Sequence, residues 1–327
     1  MNVTEIVNNI FSVTPANFEA LALQVFLYQY KYNPVYHQWV NNVHANPAGI
    51  DSLTDIPFLP VSFYKSHEVV SGSFVPEVIF ESSGTTQTTN SRHLVKDVGL
   101  YKTTFTKGFQ LFYGDVKDWC IIGLLPSYLE RDHSSLVLMV HELITMSGHE
   151  QSGFYLYDYN RLKHVLLVLD KQQQKTLVIG VTFAMLDFAE QFPFTSSHIT
   201  FMETGGMKGR REEMIRPQVH EVLQKGFGIT EVHSEYGMTE MMSQAYSKGN
   251  GIFNGVPWMK VLVRDEDDPL HVKLQGRGVV NVIDLANVHS CSFIATDDAA
   301  NVYADGSVEV LGRVDNSDIR GCSLMVM

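Results

Sequence analysis

The chain has 327 residues, enough for two compact domains or one large domain with an appendage. Hydrophobic residues at 45% and charged residues at 18% suit an ordinary globular protein and exclude an intrinsically disordered one. The formal net charge of −12 argues against nucleic acid and anionic membrane as partners, since neither is attracted without a strong local basic patch.

No apolar run approaches the ~20 residues needed to span a bilayer, and Met1-Asn2-Val3-Thr4-Glu5-Ile6 lacks the basic start of a secretory signal. Cys120, Cys291 and Cys322 lie far apart without CxxC spacing, so neither a zinc site nor a disulfide framework is indicated. The expectation is a cytoplasmic protein with reduced thiols.

In chain order, residues 1–70 read as mostly helical. Phe18, Leu21, Leu23, Val25, Phe26 and Tyr30 form a broad apolar stripe, the aromatic-rich stretch Tyr32–Trp39 follows, and Pro57 and Pro60 punctuate an extended connection. A strand-like run, Val75-Pro76-Glu77-Val78-Ile79-Phe80, then leads into Glu81-Ser82-Ser83-Gly84-Thr85-Thr86. Trp119–Leu125 is a continuous apolar run of the kind found in buried parallel strands. Ser134 or Ser135 is placed to cap a helix through Met146, with Gly148 stopping it.

The alternation continues with a helix over Tyr159–Lys171, a strand over Thr176–Val181, a helix from Phe183 and a strand over His198–Met202. Glu212–Gln224 looks helical, with Pro217 expected to kink or split it. A strand around Ile229–Val232 precedes His233-Ser234-Glu235-Tyr236-Gly237-Met238-Thr239-Glu240. Beyond residue 250 the texture changes to short strands at Val256–Val263, Gly278–Asp284, Ser292–Thr296 and Ser307–Leu311; the acidic run 265–268 reads as a solvated hairpin loop. The predicted class is α/β, a mainly parallel sheet with flanking helices plus a smaller β-rich lobe. The expected division is a helical segment 1–74, a core 75–249 and a β-rich lobe 250–327.

Ligands of parallel sheets gather at the C-terminal ends of strands, where both Ser/Thr/Gly-rich turns are expected to fall. Small residues there let backbone N–H groups and hydroxyls face a polyanion. Ser82–Thr86 alone also reads as a plain loop, but Arg92 and His93 follow closely and add positive charge suited to a triphosphate. After the strand at 199–203, Thr204-Gly205-Gly206 reads either as a tight turn or as a close approach to a flat ring. Glu240 is a hard oxygen ligand for a divalent ion. Thr296-Asp297-Asp298 offers a carboxylate at a strand end, or a turn aspartate, and Arg313 a fixed charge with a rigid donor fork. Together these features point to nucleotide chemistry.

The motifs SSGTT, TGG, EYGMTE, TDD and LGRVDNSDIRG occur in the order of the core motifs of the adenylate-forming acyl-ligase superfamily, and the chain resembles that superfamily from about residue 75 to 321. Within it, RGCSL near the C-terminus and LLPSYLERDHSS at 124–135 resemble the LuxE-like acyl-protein synthetases of the bacterial bioluminescence fatty-acid reductase system. The resemblance implies that Ser82, Ser83, Gly84, Thr85 and Thr86 hold the β- and γ-phosphates of ATP. It places Gly205 and Gly206 beside adenine, Tyr236 stacked on the base, and Glu235, Gly237 and Met238 in the same nucleotide-binding turn. Thr239 contacts the α-phosphate, Glu240 holds Mg²⁺, and Asp298 and Arg313 bind ribose hydroxyls.

Cys322 matches the acyl-accepting cysteine of the acyl-protein synthetases, although a lone cysteine also reads as a small buried hydrophobe. The implied substrate is a fatty or related carboxylic acid, and the implied partners are an acyl reductase, an acyltransferase or a carrier protein. Two departures stand out. Where the superfamily's phosphate loop continues with glycine, proline and lysine, this chain has Gln87-Thr88-Thr89-Asn90-Ser91-Arg92, so Arg92 stands in for the lysine. Most members also carry a further C-terminal domain of roughly a hundred residues with a catalytic lysine. Here Met327 follows soon after Arg313-Val314-Asp315, so the expectation is that this lid domain is absent and that the acceptor belongs to the chain itself, the alternatives being CoA or a carrier protein as acceptor, or a non-catalytic nucleotide- or acyl-binding subunit.

Overall fold

The computed structural model describes residues 3–43, 45–82, 89–125, 133–156, 158–205, 211–212 and 214–314. Helices α1 (Val3–Ile10), α2 (Phe18–Tyr32) and α3 (Pro34–Asn42) come first, followed by a two-residue strand β1 (Leu59–Pro60) and a short helix α4 (Phe63–Ser66). Strands β2 (Val78–Glu81) and β3 (Arg92–Val95) precede helix α5 (Val98–Tyr113).

Next come β4 (Cys120–Leu124), α6 (Ser135–Ser147), β5 (Gly153–Phe154), α7 (Tyr159–Lys171), β6 (Thr176–Val181), α8 (Thr182–Gln191), β7 (Ile199–Thr204), α9 (Arg216–Phe227) and β8 (His233–Tyr236). The remainder is β9 (Ala245–Ser247), β10 (Ile252–Gly255), β11 (Met259–Arg264), β12 (Val272–Lys273), β13 (Gly276–Asp284), β14 (Phe293–Val302) and β15 (Val308–Arg313).

Local chemistry sets the element boundaries. Ser134 caps α6 by accepting from Val137 N, and Gly148 ends it in the left-handed region at φ 63°. Asp158 caps α7, which turns Leu162, Val165, Leu166 and Leu169 inward at helical spacing. Strands β4 and β6 are buried at every position, as parallel strands covered on both faces must be.

Among the described residues, thirteen strands form one mixed sheet. Along it β5, β4, β6, β7 and β8 are parallel neighbours, and every pairing onward through β9, β10, β15, β14, β13, β11 and β12 is antiparallel. Strand β1 lies parallel beside β14. The α/β class is therefore as expected. Under the parallel half, Phe201 and Phe227 stack with ring centroids 4.0 Å apart. Near the N-terminal helices, Phe293 meets Phe26, Tyr36 and Phe58. No described helix is long and apolar enough to cross a membrane.

Three expectations need correction. The strand before Ser82 is not part of the large sheet: β2 pairs antiparallel with β3 in a separate hairpin, Val78 opposite Val95 and Glu81 opposite Arg92. Ser82 thus follows a strand of this hairpin and not the C-terminal end of a parallel strand. The strand expected at Ile229–Val232 lies at His233–Tyr236, because Gly228 first ends α9 in a left-handed conformation and β8 then registers on β7 with Thr204 opposite Glu235. Finally, Pro217 neither kinks nor splits its helix. It sits in the first turn of α9, where a missing N–H leaves no helical bond unmade.

Candidate active site

Three residues far apart in sequence meet at the C-terminal end of β8. Tyr236 closes that strand, and its hydroxyl donates to Asp298 Oδ2 at 2.7 Å. Asp298 faces Arg313 across the β14–β15 ladder, and Arg313 Nε donates to Asp298 Oδ1 at 3.3 Å. Asp297 adds a longer ion pair to the same guanidinium at 3.9 Å. Asp298 and Arg313 are each 3% exposed, so the pair offsets two charges taken out of water.

The backbone leaving β8 is held by side chains. His93 Nδ1 lies 2.8 Å from the Thr239 carbonyl, which assigns the proton to that nitrogen. Asn287 Nδ2 donates to the Glu240 carbonyl at 2.8 Å and to the Cys291 carbonyl at 2.9 Å. Asp284 accepts from Met242 N at 2.8 Å, Ser243 N at 3.0 Å and the Ser243 hydroxyl at 2.6 Å. Glu240 itself is 1% exposed. Gly237 belongs here for a steric reason, since a Cβ on it would stand 2.5 Å from Glu235 Oε1.

A second buried polar group lies one strand away. Thr204 Oγ1 donates to Glu235 Oε2 at 2.5 Å between registered neighbours of β7 and β8. Burial pushes the Glu235 carboxyl up to about 7; the Thr204 hydrogen bond opposes this and the nearby Glu203 charge reinforces it. Glu203 behaves oppositely. Burial alone would raise it, but His220, Arg216 and Ser234 together bring it down to about 2. Thr182 Oγ1 also donates to Glu203 at 3.0 Å, and Arg216 bridges Glu203 to the Val310 carbonyl of β15. Gly205 follows Thr204 with φ 81°, a conformation that favours glycine.

The remaining nominated residues divide plainly. Ser82 Oγ accepts from Ser91 N at 2.9 Å and so closes the β2–β3 hairpin, while Arg92 is exposed at the start of β3. Ser83, Gly84, Thr85, Thr86, Gly206 and Cys322 lie outside the described residues. Met238 is partly buried against the core. His93 does not add positive charge: it is buried, and burial pulls its imidazole below the ordinary value against the opposing pull of the Thr239 carbonyl, Glu240 and Asn287. Cys120 and Cys291 are buried thiols pushed up to about 11 and about 12, so neither is a nucleophile near neutral pH. Among the described residues, no group of three or more His, Cys, Asp or Glu side chains could hold a metal ion.

Sequence reasoning passed over Asn287, Asp284, Glu203 and Arg216, and read Thr204 only as part of the Thr204-Gly205-Gly206 turn. In β3 only Arg92 is exposed while His93, Leu94 and Val95 are all buried, so no alternation in that strand marked His93 as inward-facing. Asn287 and Asp284 carry no local signal for their part in the site, since the site backbone they hold, at Glu240 and at Met242–Ser243, lies more than forty residues upstream.

No family model matches the chain, and no curated protein matches it. Solved structures do. An open conformation of 2-hydroxyisobutyryl-CoA ligase in complex with 2-HIB-AMP and CoA superimposes with a TM-score of 0.62 at 12% identity, covering 94% of this chain and 78% of that one. The same ligase in the postadenylation state gives 0.60 at 11% identity, covering 94% and 70%. A malonyl-CoA ligase ternary product complex with methylmalonyl-CoA and AMP gives 0.50 at 17% identity, covering 74% and 54%. The chain therefore has the fold of the N-terminal domain of adenylate-forming acyl-CoA ligases.

Proposed function

We propose that this protein is an ATP-dependent, AMP-forming ligase that converts a fatty or related carboxylic acid to an acyl adenylate and passes the acyl group to Cys322 as a thioester. The observation that carries the reading is the convergence of Tyr236, Asp298 and Arg313 into one hydrogen-bonded cluster beside the Glu240 turn. Each was nominated by motif order, from a separate stretch of sequence. The fold likeness to ligases captured with an acyl adenylate supports the same chemistry.

In this reading Asp298 is a preorganised acceptor for ribose hydroxyls, its orientation fixed by Tyr236 and Arg313 before the nucleotide arrives. Gly205 and Tyr236, at the ends of adjacent strands, flank the base. Ser82 to Thr86 and Arg92 hold the β- and γ-phosphates, and Thr239 the α-phosphate. Glu240 fits Mg²⁺ as a single carboxylate, an ion that takes most of its ligands from phosphate and water. When bound, Mg²⁺ neutralises charge on the leaving pyrophosphate.

A carboxylate oxygen of the substrate forms a bond to the α-phosphorus, and the bond from that phosphorus to the β-phosphate bridging oxygen breaks, releasing pyrophosphate. The Cys322 thiolate then bonds to the acyl carbon and AMP leaves with the former carbonyl–phosphate oxygen; the thiol proton goes to solvent. Residues 1–74, 75–249 and 250–327 serve as helical support, ATP-binding core and β-rich lobe. The resemblance to LuxE-like acyl-protein synthetases favours a partner reductase, acyltransferase or carrier protein that takes the acyl group onward.

The second reading is an external thiol acceptor. It is favoured by the CoA present in the 2-hydroxyisobutyryl-CoA ligase complex. Cys322→Ser separates the two: ATP- and acid-dependent acylation of the protein is lost if Cys322 is the acceptor, whereas acyl-CoA formation persists in the variant if CoA is. A chain that forms no adenylate with any acid would be a nucleotide- or acyl-binding subunit instead.

A further inference from the structure

The hairpin β2–β3 forms its own two-stranded sheet, so no ladder to the large sheet sets its orientation. Yet in the proposed function Arg92, at the start of β3, and the turn after β8 serve one triphosphate. One side chain spans the gap directly: His93, next to Arg92, bonds the Thr239 carbonyl from inside the hairpin. The adjoining Glu240 carbonyl is bonded by Asn287, whose amide spends its two hydrogens on Glu240 and Cys291.

Asn287 is in turn fixed from the N-terminal helices. Gln29 of α2 donates to the carbonyls of Asn287 at 3.1 Å and Val288 at 3.0 Å, and accepts from Ser292 N at 2.9 Å. His93, Asn287 and Gln29 are all buried at 1% exposure or less. Bonds of this kind are unscreened by water and keep one geometry.

We propose that His93 and Asn287 are positioning residues that lock the phosphate hairpin and the Thr239–Glu240 turn into one unit, with Gln29 anchoring that unit to α2. The proposal rests on the reading that both turns face ATP. Neither residue touches a reacting atom. Their effect is to hold Arg92 and Glu240 at a fixed separation, and displacements of about 1 Å in such a site cost on the order of 100-fold in rate.

The test uses the full chain with His93→Phe, His93→Asn and Asn287→Asp. Phenylalanine keeps the ring against Tyr64 and removes the donor; asparagine returns an N–H near the position of Nδ1. Hydrogen exchange is measured on the ligand-free proteins, and ATP–pyrophosphate exchange on the same samples. His93→Phe is expected to speed amide exchange in both 78–95 and 238–244 by about tenfold while leaving β6 and β7 unchanged. It should lower kcat for ATP–pyrophosphate exchange roughly 10- to 100-fold, with the carboxylate KM changed by less than about twofold. His93→Asn should restore both, and Asn287→Asp should reproduce the loosening from the other side.

Faster exchange confined to the hairpin, or a kcat unaffected by His93→Phe, overturns the proposal. Should His93→Phe not fold, Asn287→Asp alone reads out the same two segments. A wild-type protein without any pyrophosphate exchange defeats the ligase reading instead, while the hydrogen-exchange result still decides whether the two segments are coupled.

Discussion

Glu235→Gln should change how stability depends on pH, with a sign and size that follow from the site. The carboxyl is buried between β7 and β8, bonded to Thr204 and close to the Glu203 charge, and sits near 7 instead of its ordinary 4.5. Between pH 4.5 and 7 the unfolded chain therefore gives up this proton while the native chain keeps it. Native stability falls across that window, and the contribution is flat above 7. The gap corresponds to about 3 kcal/mol. Glutamine keeps the shape and an acceptor for Thr204 but carries no proton, so the variant should gain about 3 kcal/mol relative to wild type as pH rises from about 4 to 8. Urea unfolding of both proteins at several pH values measures the difference directly, and the pH dependence of other groups cancels. Parallel stability curves, or a difference that grows towards acid, would refute the reasoning.

Glu203→Gln should act in the opposite sense: the native carboxylate is held near 2, so wild type loses about 3 kcal/mol as pH falls from 4.5 towards 2 and the variant does not, as acid-unfolding midpoints would register. The same variant should lower the Glu235 pKa by removing a neighbouring negative charge, measurable by titrating the Glu235 carboxyl by NMR. Asp298→Ala removes the nearer carboxylate of the buried Arg313 guanidinium and leaves the longer Asp297 pair, so it should cost about 2–3 kcal/mol in denaturant unfolding as well as weakening ATP binding. Iodoacetamide at pH 7.5 should leave Cys120 and Cys291 unmodified in the native protein, with peptide mapping placing any label on Cys322. Pro217→Ala should change stability by less than about 1 kcal/mol, because a first-turn proline breaks no helical bond.

Elements whose evidence is local were legible in the sequence. Ser134 and Gly148 bracket α6, Asp158 opens α7, and the apolar runs of β4 and β6 fall where expected because caps and periodicity act within a few residues. What periodicity does not carry is the identity of a strand's partner. Val78–Phe80 was recognised as strand, but nothing in it says that β3 rather than the large sheet would take up its edge. The shift of β8 to His233–Tyr236 has the same origin, since its register is set by β7 and by where Gly228 ends α9. At the site, Tyr236, Asp298 and Arg313 were legible through motif order, a pattern spread along the chain. His93 was read as a charge, and it is buried and bonded to the Thr239 carbonyl. Asn287 and Gln29 were invisible because an amide in a loop or helix shows its purpose only when the distant carbonyls it serves are in place.

The central claim is adenylation followed by acyl transfer within the chain, and intact-protein mass spectrometry after incubation with ATP, Mg²⁺ and a mixture of fatty acids tests it most directly. The account predicts an ATP-dependent acyl adduct, released by hydroxylamine and absent in Cys322→Ser. A protein that stays unmodified would contradict it: with acyl adenylate present the acceptor lies outside the chain, and with neither adenylate nor pyrophosphate the adenylation step fails as well.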